Sequence, residues 1–133
     1  SLLWQESVVT TKTPIKNAIE RLNKVGIKIA LVLDDNQVLL GTISDGDFRR
    51  GMLRGLTLAD PVEDIMNRNP RTVRENASRI EILDLMDNTK ILQIPVVNEQ
   101  NQVIGMHLWD EISAQTKHSN VMVIMAGVRL PIV

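Results

Sequence analysis

Apolar and polar positions follow the same order twice along this chain. Each half predicts a short β-branched stretch, an amphipathic helix, an apolar strand, a polar turn, a second strand and a further helix. The strands read IALVL then VLLGTIS in the first half, and IPVVN then VIGMHL in the second. The helices are predicted from apolar residues at helical spacing, namely Ile15, Ala18, Ile19, Leu22 and Val25, then Ile82, Leu83 and Met86.

The two halves keep one register. Gly41 and Gly105 lie 64 positions apart, and so do Val32 and Val96. The turns DDNQ and EQNQ carry Asp, Asn and Gln, which accept the left-handed backbone of a tight turn, so each strand pair is predicted to be a hairpin. Because each half is too small to bury an apolar sheet face alone, we expect the two halves to pack against each other.

Helix start signals mark the join between the halves. Asp60 is predicted to cap a short helix, PVEDIM, with Pro61 at its first position and Glu63 at its third. The helix should stop at NRNP, because a residue before proline avoids helical angles. Ser78 and Glu81 form a capping box that opens the helix of the second half.

Composition excludes several classes of protein. The chain has 133 residues, 44% of them hydrophobic and 23% charged, which is typical of a globular domain. With a net charge of -1, the chain lacks the excess of positive charge that binding to nucleic acid requires. There is no cysteine, and no apolar run has the length of a membrane span, so we expect a cytoplasmic protein without disulfides or a membrane partner.

The stretch GTISDGDFRR carries the candidate chemistry. Ser44 and Asp47 have the spacing of a capping box at the start of a helix. A helix start also favours a phosphate, and a carboxylate beside it can accept hydrogen bonds from two neighbouring ribose hydroxyls. The cap and a nucleotide site are compatible interpretations of the same residues.

Metal chemistry is disfavoured. Asp45 and Asp47 alternate at a helix start, where their side chains diverge, so a shared metal ion is not expected. His107 lies on an apolar strand and His118 in a polar segment, and neither has further ligands at zinc spacing. We therefore predict no metal site.

The β-α-β-β-α order, the join VEDIMNRNP and a Gly-x-x-Ser-x-x-Asp turn together resemble the cystathionine-β-synthase (CBS) domain pair, or Bateman module, over residues 7–117. The resemblance implies an α+β fold of two repeats packed sheet to sheet about a pseudo-twofold axis. It places the first repeat at 1–57, the second at 58–117, and a linker with the remnant of a further domain's first strand at 118–133.

The resemblance also implies roles for named residues. Ser44 would contact phosphate, Asp47 the ribose 2′- and 3′-hydroxyls, and adenine would lie against the backbone near Ile29 and Ala30 and against aliphatic side chains. Arg49 or its neighbour Arg50 would steady a polyphosphate. The matching positions in the second half hold Leu108 and Glu111, beside Trp109. Leucine cannot donate to a phosphate, so we expect one competent site and one degraded site in which Glu111 is the remaining candidate contact.

A narrower likeness concerns the neighbouring domain. GTISDGDFRRGMLRGLTLADPVEDIMNRNP resembles the CBS pair that precedes bacterial sugar-1-phosphate nucleotidyltransferases, and NVMVIMAG resembles the first strand of such a transferase. The glycine-rich phosphate loop of that family does not follow, because VRLPIV stands in its place. We therefore expect no catalytic activity from this chain, and disfavour the alternative that it is itself a transferase fragment.

Two functions follow from the resemblance. One is a regulatory module that binds an adenine nucleotide (AMP, ADP or ATP) and signals to an attached nucleotidyltransferase. The other is a ligand-free structural module that dimerises through its helices, as CBS pairs commonly do, and so holds two transferase domains together.

Overall fold

The structure is a computed structural model that describes residues 2–114, with side chains from Trp4 onward. Within this range lie two three-stranded sheets, of strand order β1-β2-β3 and β4-β5-β6, each flanked by helices. This is the predicted α+β architecture of two similar repeats. The expectations for residues 118–133, including His118, lie outside the described residues.

The first repeat contains β1 (Val8–Val9), α1 (Ile15–Val25), β2 (Ile29–Leu33), β3 (Leu39–Ser44) and α2 (Asp45–Leu53), after a 3₁₀ helix at Leu2–Ser7. The second contains β4 (Val73–Arg74), α3 (Arg79–Thr89), β5 (Gln93–Val97), β6 (Val103–Leu108) and a helical segment at 109–114. In each sheet the first strand runs parallel to the second, and the second is antiparallel to the third.

The 64-residue register of the sequence is present in the backbone. Val9 pairs with Val32 in one sheet, and Val73 pairs with Val96 in the other. Both hairpins are irregular at matching positions, directly after Val32 and Val96. The sequence repeat predicted from apolar spacing is therefore also a structural repeat, in which each strand of the first sheet has a counterpart in the second.

The hairpin turns of the two repeats hydrogen-bond to each other. The backbone N–H of Leu39 donates to the carbonyl of Asn101 at 2.9 Å, and that of Val103 donates to the carbonyl of Gln37 at 3.1 Å. These two bonds are equivalent under the 64-residue offset. The Asn101 amide also donates to the carbonyl of Leu39 at 3.0 Å. We call this contact the paired turns.

The apolar core lies between the two sheets and beneath the helices. Leu31 and Leu33 of the first repeat share one buried cluster with Val97, Val103 and Met106 of the second. This joint cluster explains how two halves of this size are stable, because each removes from water an apolar face that the other would leave exposed.

The segment between the repeats differs from its prediction. Asp60 does not cap a helix there, since its carboxylate instead accepts a hydrogen bond from the backbone N–H of Thr57 at 2.7 Å. Pro61 precedes a single 3₁₀ turn, Val62–Asp64. The Asp60 carboxylate was predicted to cap a helix, but it stabilises a local turn with Thr57 instead.

The same segment packs on the first repeat. Val62, Ile65 and Met66 are buried in its core, and Asn67 exchanges two backbone hydrogen bonds with Thr42, at 2.8 and 3.1 Å. This fixes the residues that follow Asn67 beside the end of β3. Within residues 2–114, none of the helices is long and apolar enough to cross a membrane.

Candidate functional site

A cavity of about 390 Å³ opens where β2 begins and β3 ends, at the end of the hairpin opposite the paired turns. The first repeat supplies Ile29, Ser44 and Asp47 to its wall. The segment between the repeats supplies Asn67 to this wall, and the second repeat supplies residues 90–93. The site is thus built by both repeats and by the segment that joins them.

The Asp47 carboxylate is held at the mouth of α2. Its Oδ2 accepts hydrogen bonds from the backbone N–H of Ser44 at 2.9 Å and from the Ser44 hydroxyl at 3.1 Å. Its Oδ1 accepts one from Arg50 at 2.7 Å. The Asp47 side chain is 13% exposed, whereas Arg50 is 63% exposed. The carboxylate is therefore oriented by the helix start, while its arginine partner can move.

The residues predicted to bind a ligand are only partly brought together. Ser44, Asp47 and Ile29 line the cavity. Ala30 is 1% exposed and is not among the lining residues, because it lies in the core beneath the sheet. Arg49 is exposed outside the cavity wall, and it is Arg50 that lines it. Arg50 is three residues after Asp47 and so lies on the same helix face.

Three cationic side chains in the wall were not anticipated from the sequence. They are Lys28, Arg71 and Lys90, which lie in three separate segments of the chain. For Lys90 the sequence carried a usable signal, because the 64-residue register matches it to Gly26, which ends α1 at a position where glycine is preferred. Lys28 directly precedes Ile29 at the start of β2, and Arg71 follows the segment that Asn67 fixes beside the end of β3.

A second, smaller cavity of about 220 Å³ occupies the equivalent place in the other repeat. Leu108 and Trp109 line it where Ser44 and Asp45 line the first. Glu111 is exposed and is not among its lining residues. The two cavities therefore differ in chemistry, because Ser44 and Asp45 of the first are replaced by apolar side chains in the second, and no counterpart of the Asp47 carboxylate lines it among the described residues.

Across residues 2–114, no group of three or more His, Asp or Glu side chains is placed to hold a metal ion.

His107 gives the protein a pH-dependent element outside the cavity. It is half-buried on β6, and burial lowers its pKa, against the opposing effect of Glu111. The unfolded chain then binds a proton more readily than the folded one. The contribution of neutral His107 to the stability of the folded chain is therefore full above pH ~6.5. It is lost as the pH falls towards the lowered pKa.

Substitution His107→Gln is expected to flatten the dependence of the melting temperature on pH between about 7 and 5, because glutamine does not titrate. Thermal unfolding of both proteins at several pH values checks this. Parallel profiles for the two proteins would contradict it.

Comparison with known proteins bears on this geometry. The sequence model of the CBS domain matches the chain twice, at residues 6–54 and 62–106. The chain belongs to the CBS domain family. Both copies required for a CBS pair are therefore present.

Among curated relatives of this CBS pair is the arabinose 5-phosphate isomerase GutQ of Salmonella typhi, which is 31% identical over 97 residues. The match covers 73% of this chain and 30% of GutQ. The CBS pair thus spans about a third of the length of the curated relatives that it matches.

Solved structures share the fold. CBSX2 in complex with AMP is 24% identical with a TM-score of 0.73, over 85% of this chain and 88% of CBSX2. The CBS domain pair of protein MJ0100, in complex with 5′-methylthioadenosine and S-adenosyl-L-methionine, is 23% identical with a TM-score of 0.73, over 84% and 88%. At these identities the likeness establishes the architecture.

Proposed function

We propose that this CBS pair is a regulatory module that binds an adenine nucleotide in the cavity beside Ser44 and Asp47. The observation that carries the proposal is the oriented Asp47 carboxylate, which both repeats enclose in a cavity at a helix start. Such a carboxylate suits a pair of ribose hydroxyls, and the helix start suits a phosphate.

The neighbouring structures support the choice of ligand. CBSX2 binds AMP, and the pair of MJ0100 binds two adenosine derivatives. An adenosine moiety is common to all three ligands. Carried to this chain, the ribose would meet Asp47, the phosphate would meet Ser44, and adenine would lie against the apolar Ile29.

Arg50 has a defined part in this binding. It pairs with Asp47 Oδ1, the oxygen that a ribose hydroxyl would need. Because Arg50 is largely exposed, its side chain can turn from the carboxylate towards the phosphate at low cost. Binding then exchanges one ion pair for another and frees Asp47 Oδ1 for the ribose. Oδ2 keeps the Ser44 backbone N–H and can accept a second ribose hydroxyl when the Ser44 hydroxyl turns to the phosphate.

We place the module in a longer cytoplasmic protein that acts on a sugar phosphate. Residues 120–127 favour a sugar-1-phosphate nucleotidyltransferase as the attached enzyme. The match to GutQ favours a sugar-phosphate isomerase instead. In either arrangement this chain is the sensor and the attached domain carries the catalytic residues.

Calorimetric titration with AMP, ADP, ATP and S-adenosylmethionine tests the proposal. We expect saturable binding of at least one of them, with one site per chain. Absence of binding heat for all four at millimolar ligand would remove the nucleotide sensor and leave a structural role.

A second candidate function is dimerisation through the helices. It is favoured by apolar side chains exposed on and after them: Ile19 is 38% exposed, Met52 38%, Leu53 82% and Leu58 46%. Exposed large apolar side chains on helices are suited to burial in an interface. A homodimer would hold two attached enzyme domains together.

Leu53→Asp is expected to shift a dimer of this chain to monomer, because the substitution places a charge on the apolar helix surface. Sedimentation velocity at several concentrations measures the shift. The matched control is Ile104→Asp, at an exposed apolar position on β6, which should leave the dimer intact. A concentration-independent monomer before substitution would exclude this function.

A further inference from the structure

Among the residues that the structure describes, positive charge is concentrated in the larger of the two equivalent cavities. The larger cavity is lined by Lys28, Arg50, Arg71 and Lys90, against two carboxylates, Asp45 and Asp47. The smaller cavity, its counterpart, has Lys28 and Asp110 as its charged residues. A ligand in the larger cavity therefore meets an excess of two positive charges, and one in the smaller cavity meets none.

Lys90 is held in a backbone conformation that disfavours lysine. Its φ is 60°, and its counterpart in the first repeat is Gly26, with φ 81°. The left-handed region is readily adopted by glycine and is strained for other residues. One repeat thus uses the preferred residue at this helix end, and the other places a lysine there.

Contacts within the fold do not explain the lysine. Its ammonium lies 3.5 Å from the Asp87 carboxylate, but both side chains are more than four-fifths exposed, so this pair stabilises little. A strained residue whose side chain reaches a cavity points to a role in the cavity. Lys90 lies in the second repeat, whereas Ser44 and Asp47 lie in the first.

We propose that Lys90, together with Arg71, binds the phosphates beyond the first one of a nucleoside di- or triphosphate. The module then favours ATP and ADP over AMP, and disfavours the sulfonium cation of S-adenosylmethionine. The inference rests on the proposed function, since the adenosine must be held at Asp47. It adds that the terminal phosphates are held by residues outside the first repeat.

The expected contribution of each cation is modest. Both side chains are exposed to water, which screens their charge. Loss of one cation should weaken ATP binding by roughly 5-fold, and the preference for ATP over adenosine should fall as salt is raised.

The decisive variant is Lys90→Gly, because it is expected to raise the stability of the fold and to weaken ATP binding. Glycine relieves the backbone strain, so the melting temperature should rise by about 2–5 °C. Removal of the ammonium should weaken ATP binding by roughly 5-fold while adenosine affinity changes by less than about 2-fold. Arg71→Gln should reproduce the loss for ATP. The matched control is Lys24→Gln, which removes an exposed lysine of α1 outside this cavity.

Titration calorimetry with ATP, AMP and adenosine, combined with thermal unfolding, separates the outcomes. If adenosine binds but ATP binds no more tightly, or if Lys90→Gly leaves ATP affinity unchanged, the phosphate role of Lys90 is wrong while the adenine-nucleotide function stands. If none of the three ligands binds the wild-type chain, both proposals are wrong. A loss confined to ATP, with AMP and adenosine affinities unchanged, in a more heat-stable variant supports both.

Discussion

Replacement of Asp47 by alanine is expected to weaken adenine-nucleotide binding by roughly 30- to 150-fold. The carboxylate would accept two charge-assisted hydrogen bonds from the ribose, and losing them costs about 2–3 kcal/mol. The substitution also removes the acceptor for the Ser44 backbone N–H at the start of α2, so the free energy of unfolding should fall by about 1 kcal/mol. Titration calorimetry and urea unfolding measure the two effects.

Two further variants separate binding from folding. Asp47→Asn keeps an oxygen that can accept from Ser44, so it should retain most of the stability and still lose most of the affinity. Asp45→Ala removes a carboxylate from the same cavity and the same helix turn, and should change affinity by less than about 3-fold. Equal losses for Asp45→Ala and Asp47→Ala would show that general charge, rather than a ribose contact, explains the binding.

Gly41→Ala is expected to lower the free energy of unfolding by about 2–3 kcal/mol. An added Cβ at Gly41 would lie 2.8 Å from the carbonyl oxygen of Asn67 and 2.8 Å from the sulfur of Met66. The carbonyl cannot yield easily, because Asn67 is paired through its backbone with Thr42. The substitution would therefore push the joining segment off β3, and the cavity wall at Asn67 would move with it.

The internal repeat supplies the control for this prediction. At Gly105, the counterpart of Gly41, an added Cβ would meet only Val96, at an ordinary 3.9 Å. Gly105→Ala should be neutral within about 0.5 kcal/mol, or slightly stabilising, because alanine lowers the entropy of the unfolded chain. Urea unfolding of both variants checks the difference. Similar destabilisation at the two positions would disprove the assigned role of the joining segment.

Features fixed by local sequence could be predicted well. The capping boxes at Ser44 and Ser78 form with the partners expected, Asp47 and Glu81. The hairpins form where the polar turns indicated, since their geometry depends on a few adjacent residues. The repeat was visible because apolar spacing reflects which face of each element is buried.

Features that depend on competition or on distant segments could not be predicted in this way. The Asp60 carboxylate could cap a helix after Pro61 or accept from the backbone N–H of Thr57. The residue spacing alone did not show that Thr57 would be favoured. The choice of Arg50 over Arg49 follows from helix geometry once Asp47 is taken as the reference. Lys90 reaches the cavity because the second repeat packs beside the first, and Arg71 reaches it because Asn67 pairs with Thr42 on β3. Sequence periodicity describes neither contact.

The paired turns hold the two repeats together at one end of the molecule. Reciprocal backbone bonds between the Gln37 and Asn101 turns join the repeats at one end, and both cavities lie at the other. A rotation of one repeat relative to the other about the paired turns would therefore displace the turns least and the cavity walls most. A nucleotide that draws the free ends together would then change the angle between the two repeats.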